Sequence, residues 1–201
     1  MNKVAVYIDG FNLYHSIKEN KYKWLNLRKL SELFLRKDET LVELNYFSAL
    51  AHWNIEKVNR HKLFLKALEQ EDVKIILGEF KKVTRYCRNC KSQYKTHEEK
   101  QTDVNIAIEL LAGAINDIYD EAIIISGDSD LITAIKKVKE LFPNKKVGVI
   151  LPIGRRSESL KQVCDFYMKM KKKHLDSSLF DEDITIADGK SISCPGKWKV
   201  L

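Results

Sequence analysis

The sequence predicts an α/β domain with a mainly parallel central sheet, and three observations carry that prediction. Ala122-Ile123-Ile124-Ile125 is an unbroken apolar run, which suits a strand covered on both faces. Further strand-like runs at Val4 to Ile8, Leu41 to Ser48, Val73 to Gly78 and Lys145 to Leu151 alternate with helical patterns, the signature of βαβ units. Two of the runs stop abruptly at glycine and aspartate, in Asp9-Gly10 and in Gly127-Asp128-Ser129-Asp130. Ligands of such sheets bind outside the carboxyl ends of the strands, so both acidic stops fall where chemistry is expected.

Length and charge limit what those acids can serve. At 201 residues the chain can bury one full core, with or without an appendage. Lys and Arg total 35 against 28 Asp and Glu, and the net charge of +7 favours polyanionic partners such as nucleic acid. An acidic strand end inside a basic chain suits an enzyme that holds a cation and grips phosphates around it. No run approaches the roughly 20 apolar residues of a membrane span, and Met1-Asn2-Lys3 leads straight into a strand without a signal-peptide core. The expectation is a cytoplasmic protein with no membrane partner. Its four cysteines then read as reduced thiols or metal ligands.

In chain order, the first strand ends at Asp9, and a helical stretch runs on through Lys18. Asn12, one turn beyond Asp9, can hydrogen-bond a carboxylate or a metal-bound water; the plainer reading is a helix start that needs Gly10 for its turn. Leu27 to Leu35 and Ile55 to Glu69 read as amphipathic helices. After the strand at 73–78 comes a polar, basic insertion, 79–99, with interleaved aromatics. Its Arg85 and Tyr86 suit a phosphate backbone and stacked bases. Cys87-x-x-Cys90 is half of a zinc-knuckle spacing and His97 a candidate third ligand for a structural Zn²⁺, against two free thiols or a redox pair.

Thr102 is the expected N-cap of a helix over Ile106 to Ala114, with Asp103 in its first turn. Asp103 is either a dipole-compensating acid or a third acid of the cleft; Glu109 is assigned to a solvated face. Asp128 and Asp130 would repel in a partly dry cleft unless a cation or proton offsets them. Asp128 could equally be a simple N-cap. A helix follows over Leu131 to Leu141, then a strand that Pro152 ends. Gly154-Arg155-Arg156-Ser157 falls at that strand's carboxyl end and is suited to holding a phosphate. Ser159 to Val163 reads as a short helix, Cys164 to Tyr167 as an edge segment and Lys169 to His174 as a basic run. The main domain is expected to span 1–174, including the insertion. Residues 175–201 read as a linker and tail, with a possible hairpin around Asp188-Gly189.

Three stretches together carry a resemblance. Tyr7-Ile8-Asp9-Gly10-Phe11-Asn12-Leu13, Lys100-Gln101-Thr102-Asp103-Val104 and Ile125-Ser126-Gly127-Asp128-Ser129-Asp130-Leu131 resemble the three signatures of the NYN domain, in the LabA-like branch of the PIN-like nuclease superfamily. They occur in that family's order, over about Lys3 to Met168. The resemblance implies a Rossmann-like, PIN-like three-layer α/β/α fold and metal-dependent RNA cleavage, marking Asp9, Asn12, Asp103, Asp128 and Asp130.

The chemistry agrees. Phosphodiester hydrolysis needs an activated water and compensation of charge on the phosphoryl oxygens, which carboxylate-held Mg²⁺ or Mn²⁺ provides. Asp9, Asp103 and Asp128 are the expected metal ligands, with Asp130 closing the cluster and Asn12 orienting a water or carboxylate. Arg155, Arg156, Lys100, Arg85 and Tyr86 are the expected substrate contacts. The expected function is a metal-dependent endoribonuclease acting on RNA, with DNA, a homo-oligomer and an inhibitory protein partner left open.

A nucleotide-cofactor enzyme is disfavoured, because neither acidic turn has G-x-G-x-x-G or a Walker lysine. An aspartyl phosphatase using Asp128 and Asp130 would leave Asp9 and Asp103 without roles. The alternative is a non-catalytic RNA-binding or regulatory module, which would gain nothing from clustered negative charge.

Overall fold

A computed structural model describes residues 1–17, 22–186 and 189–199. Six strands form one sheet in the order β3-β2-β1-β6-β7-β8: β1 (Asn2–Asp9), β2 (Glu39–Ser48), β3 (Lys74–Leu77), β6 (Glu121–Ile125), β7 (Lys146–Leu151) and β8 (Phe166–Lys169). Every neighbouring pair is parallel. The expected fold class holds: a Rossmann-like, PIN-like sheet with helices on both faces. The order reverses between β1 and β6, which makes their carboxyl ends the topological switch point where a crevice opens.

Alternation along the strands divides the core in two. Val4, Val6 and Ile8 of β1 and Ile123 and Ile125 of β6 point to one face. There they meet α1 (Gly10–Ile17), α2 (Leu27–Glu32) and α3 (Ile55–Glu69). Ala5, Tyr7, Ala122 and Ile124 point to the other face, against α4 (Thr102–Ile115), α5 (Ile132–Leu141) and α6 (Glu158–Val163). All five residues of β6 are buried, which is why its sequence is continuous rather than alternating. Asn54 and Ser157 cap α3 and α6 through their side chains. The Lys18 end expected for the first helix lies outside the described residues.

At the amino end of the sheet, Arg36 bridges two buried acids. Its Nε donates to Glu39 Oε1 at 2.6 Å and its Nη2 lies 2.6 Å from Glu121 Oε2. Burial and the neighbouring Glu39 push the Glu121 carboxyl upward, while Arg36 pulls it back.

The structure differs from the sequence expectations in four places. The basic insertion is an antiparallel hairpin, β4 (Glu79–Tyr86) with β5 (Gln93–Lys100), separate from the main sheet. Thr102 does not cap α4: it is the first helical residue, and Gln101 before it holds a left-handed φ of 78°. The Thr102 amide donates to Glu99 Oε1 at 3.1 Å, so a carboxylate from the preceding strand meets the helix N-terminus. Glu109 is not merely solvated, since Lys74 Nζ lies 2.8 Å from its Oε2.

Finally, the chain from α7 (Lys172–Asp176) onward is packed, among the described residues, rather than loose. Leu175, Phe180, Ile192 and Cys194 are buried in the first core, and Trp24 lies against both Phe180 and Trp198, with ring centroids 5.5 and 6.5 Å away. These anchors recur with neither a helical nor a strand period, which hides them in the sequence. Strands β9 (Asp183–Thr185) and β10 (Ser191–Ser193) pair antiparallel. The proposed turn residue Asp188 lies outside the described residues.

Candidate active site

The site is built at the switch point. Asp9 is the last residue of β1 and is 4% exposed. Its Oδ1 accepts the Asn12 amide at 2.9 Å and its Oδ2 accepts the Ser126 hydroxyl at 2.8 Å. The same Ser126 oxygen accepts the Asp128 amide at 3.0 Å, and Asn12 Oδ1 accepts the Gly127 amide at 3.2 Å. Thus the turn after β1 is tied to the turn after β6 on both sides.

Two glycines permit the close approach. A Cβ on Gly10 would lie 2.5 Å from the Phe47 carbonyl oxygen of β2, and one on Gly127 would lie 2.9 Å from Arg155 Cβ. The second contact seats the loop after β7 directly against the acidic turn. Asp128 Oδ1 accepts the Asp130 amide at 3.0 Å, so Asp128 caps the short 3-10 turn Ser129–Leu131. It also faces the cleft. Its two sequence readings are therefore not exclusive.

Four carboxylates, Asp9, Glu99, Asp103 and Asp128, line a cleft of about 250 Å³ together with Asn12, Arg155, Phe11 and His15. Burial first, and then the charges of Asp128, Asp9, Glu99 and Asp130, push the Asp103 carboxyl up to about 6. Asp9 is also raised, chiefly by burial, with Asp128 and Glu99 adding to it and the Asn12 and Ser126 hydrogen bonds opposing it. Mutual repulsion of this kind is relieved by a proton or a cation. The donors are hard oxygens suited to Mg²⁺ or Mn²⁺. Among the described residues, no three His, Cys, Asp or Glu side chains are already gathered closely enough to ligate one ion.

The remaining candidates separate. Asp130 is exposed, does not line the cleft and acts on Asp103 only through its charge. Arg155 lines the cleft and Arg156 does not. Lys100, Arg85 and Tyr86 stand on the hairpin. Arg85 Nε donates to Glu98 Oε1 at 2.7 Å, Lys100 Nζ lies 3.1 Å from Glu98 Oε2, and Tyr86 accepts from Gln93 Nε2 at 2.7 Å. A groove of about 610 Å³ at the hairpin tip is lined by Arg85, Tyr86, Cys87, Arg88, Asn89 and Tyr94.

Cys87 and Cys90 meet at that tip, but His97 does not join them. It pairs with Lys82 in the strand register, four residues from Gln93 and so about 13 Å down the hairpin. There its ring stacks on Trp53 at 3.7 Å and 6°.

Sequence reasoning missed Glu99, Phe11 and His15 as cleft residues. Phe11 and His15 are four apart on α1 and therefore share a face, a signal that was present. Glu99 gave none, because its place depends on the hairpin returning to the α4 N-terminus. The structure also joins Phe11 to Phe80 (6.0 Å) and Phe80 to Trp53 (4.8 Å), a line of rings from the cleft to the hairpin base.

The sequence profile of the NYN domain matches residues 3–171, most of the chain and all three acidic turns. The protein belongs to the NYN domain family. Membership places it in a nuclease-type superfamily. The NYN domain is also similar to the 6-hydroxy-3-succinoylpyridine 3-monooxygenase HspA of Pseudomonas putida, at 22% identity over 87% of this chain and 67% of that protein. Among solved structures it resembles VPA0982 of Vibrio parahaemolyticus, a protein of unknown function, with a TM-score of 0.57 and 19% identity. That likeness covers 89% of this chain and 96% of the other and concerns the fold alone. Among the described residues no helix is long and apolar enough to cross a membrane.

Proposed function

We propose that this NYN domain is a metal-dependent endoribonuclease that hydrolyses RNA phosphodiester bonds with Mg²⁺ or Mn²⁺. The observation that carries the reading is the convergence of Asp9, Asp103 and Asp128 on one cleft, with Arg155 at its rim. Asp9, Asp103 and Asp128 would hold the ion, with Glu99 beside them. Bound there, the ion would supply an activated water and offset charge on the phosphoryl oxygens.

The chain's own groups do the positioning. Ser126 holds Asp9 in one rotamer through its hydroxyl. Asn12 fixes the spacing of the two acidic turns through the Gly127 amide. Arg155 offers a guanidinium to a phosphate, a charge-assisted contact that neutralises part of the polyanion. Asp130 is exposed and adds negative potential without lining the cleft.

The test is cleavage of labelled single-stranded and structured RNA with Mn²⁺, with Mg²⁺ and with EDTA, comparing wild type with Asp128→Asn. Metal-dependent cutting that the variant loses, leaving 5′-phosphate and 3′-hydroxyl ends, is expected. Products with 2′,3′-cyclic phosphate would overturn the water-attack mechanism, since the ribose hydroxyl would then be the nucleophile. RNA binding without cutting under either ion would favour the non-catalytic RNA-binding module. The activity in the name of the relative HspA, 22% identical to this chain, is not carried over.

A further inference from the structure

We infer that the tip of the β4–β5 hairpin is half of a zinc site, completed by the same tip of a second copy of this chain. The two chains would share one Zn²⁺ through Cys87 and Cys90 of each. This assignment does not depend on the nuclease reading and differs from a single-chain site with His97.

The hairpin tip is shaped to present both sulfurs on one side of a tight turn. The Cys87 amide donates to the Ser92 carbonyl at 2.9 Å, and the Lys91 amide donates back to the Cys87 carbonyl at 2.9 Å. Lys91 takes a left-handed φ of 55° to close the turn. The Cys90 sulfur lies 2.9 Å from the Ser92 hydroxyl, within hydrogen-bond reach. A hydroxyl beside a sulfur can donate to it and orient a thiolate, the role that supporting hydrogen bonds play around metal ligands.

Two ligands do not make a structural zinc site, which takes four in a tetrahedron. Among the described residues, one chain does not gather the rest. Cys164 and Cys194 are buried in opposite cores of the domain, and His97 is fixed against Trp53 well down the hairpin. Cys90, by contrast, is exposed at the far end of a two-stranded ribbon, open to a second molecule. A two-fold arrangement of two identical tips gives four sulfurs around one ion, the self-complementary contact that a symmetric dimer requires.

Charge makes the contact conditional on the metal. Residues 85–95 include Arg85, Arg88, Lys91 and Lys95 and no acid, so bare tips repel each other. When Zn²⁺ binds, four thiols release four protons, and the resulting tetrathiolate carries a net charge of −2. That charge offsets part of the cationic surroundings and draws the tips together.

The experiment uses the full-length chain, reduced, stripped with EDTA and titrated with ZnCl₂, with metal content and solution mass measured together. Zinc should saturate at one ion per two chains while the mass doubles, and EDTA should reverse both changes. Cobalt in place of zinc should give the intense sulfur-to-cobalt absorption of a tetrathiolate. The double variant Cys87→Ser/Cys90→Ser should lose zinc and stay monomeric, with the melting temperature of the stripped wild type, because both positions lie at an exposed turn. His97→Gln should behave as wild type. One zinc per monomer, no zinc retained, a dimer that survives EDTA or the double variant, or loss of zinc in His97→Gln would each overturn the inference.

Discussion

Asn12 Oδ1 accepts the amide of Gly127 at 3.2 Å across 115 residues of sequence, and this bond sets the distance between the acids that follow β1 and β6. Removing it leaves a part-buried amide without its acceptor, a loss of about 1–3 kcal/mol. Asn12→Ala is expected to lower the melting temperature modestly and to lower kcat on RNA well before it alters the Kd. Equal loss of both would mean that Asn12 contacts substrate rather than spacing the turns.

Asp103 carries a stability cost whose sign can be checked. Its folded carboxyl is raised to about 6 from an ordinary 3.8, so the folded state holds the proton more tightly than the unfolded chain. Stability from this group is full below about pH 4 and is lost as pH rises through about 6. The group is part-buried, and solvent screening reduces the effect to the order of 1 kcal/mol. Asp103→Asn should therefore raise the melting temperature of metal-free protein at pH 7.5 and leave it unchanged at pH 3.5, while abolishing cleavage. Thermal scans of both proteins at the two pH values decide the point.

The two arginines of the β7–α6 loop should behave differently. Arg155 is at the cleft and Arg156 is not. Arg155→Ala is expected to weaken RNA binding and to reduce the slope of log K against log salt by about 1, as for the loss of one phosphate contact. Arg156→Ala should leave the slope nearly unchanged, and a binding titration at several salt concentrations separates the two.

Trp53 is 47% exposed at the end of the ring line that begins with Phe11 in the cleft. A stacked base contributes about 1–3 kcal/mol in single-strand binders. Trp53→Ala should raise the Kd for single-stranded RNA roughly 5- to 150-fold at that energy, with little change for a blunt duplex whose bases are already stacked. An equal effect on both substrates would remove the ring line from the substrate path.

Much of this arrangement was legible because local pattern and global fold agree. The continuous run of β6, the alternation hidden in β1 and the acids at their ends are all local signals. Asp9 and Asp128 could be placed on one crevice as soon as the sheet was parallel. What was not legible depends on contacts between distant segments. Glu99 reaches the cleft only because the hairpin doubles back, and Asp130 leaves it because the 3-10 turn points its side chain outward. Nothing in Gln101 announced a left-handed residue. Leu175, Phe180 and Trp198 are single anchors without a period, and only the closed core shows that Trp24 receives two of them.

That last packing has a consequence for synthesis. The first core is sealed by Leu175, Phe180, Ile192, Cys194 and Trp198, which leave the ribosome after the cleft residues. Until these emerge, Trp24 and Phe64 lack that cover and face water. A nascent chain stalled before Phe180 already contains every acid of the cleft yet lacks a finished hydrophobic interior. Emergence of these anchors and consolidation of the first core are thereby coupled in time.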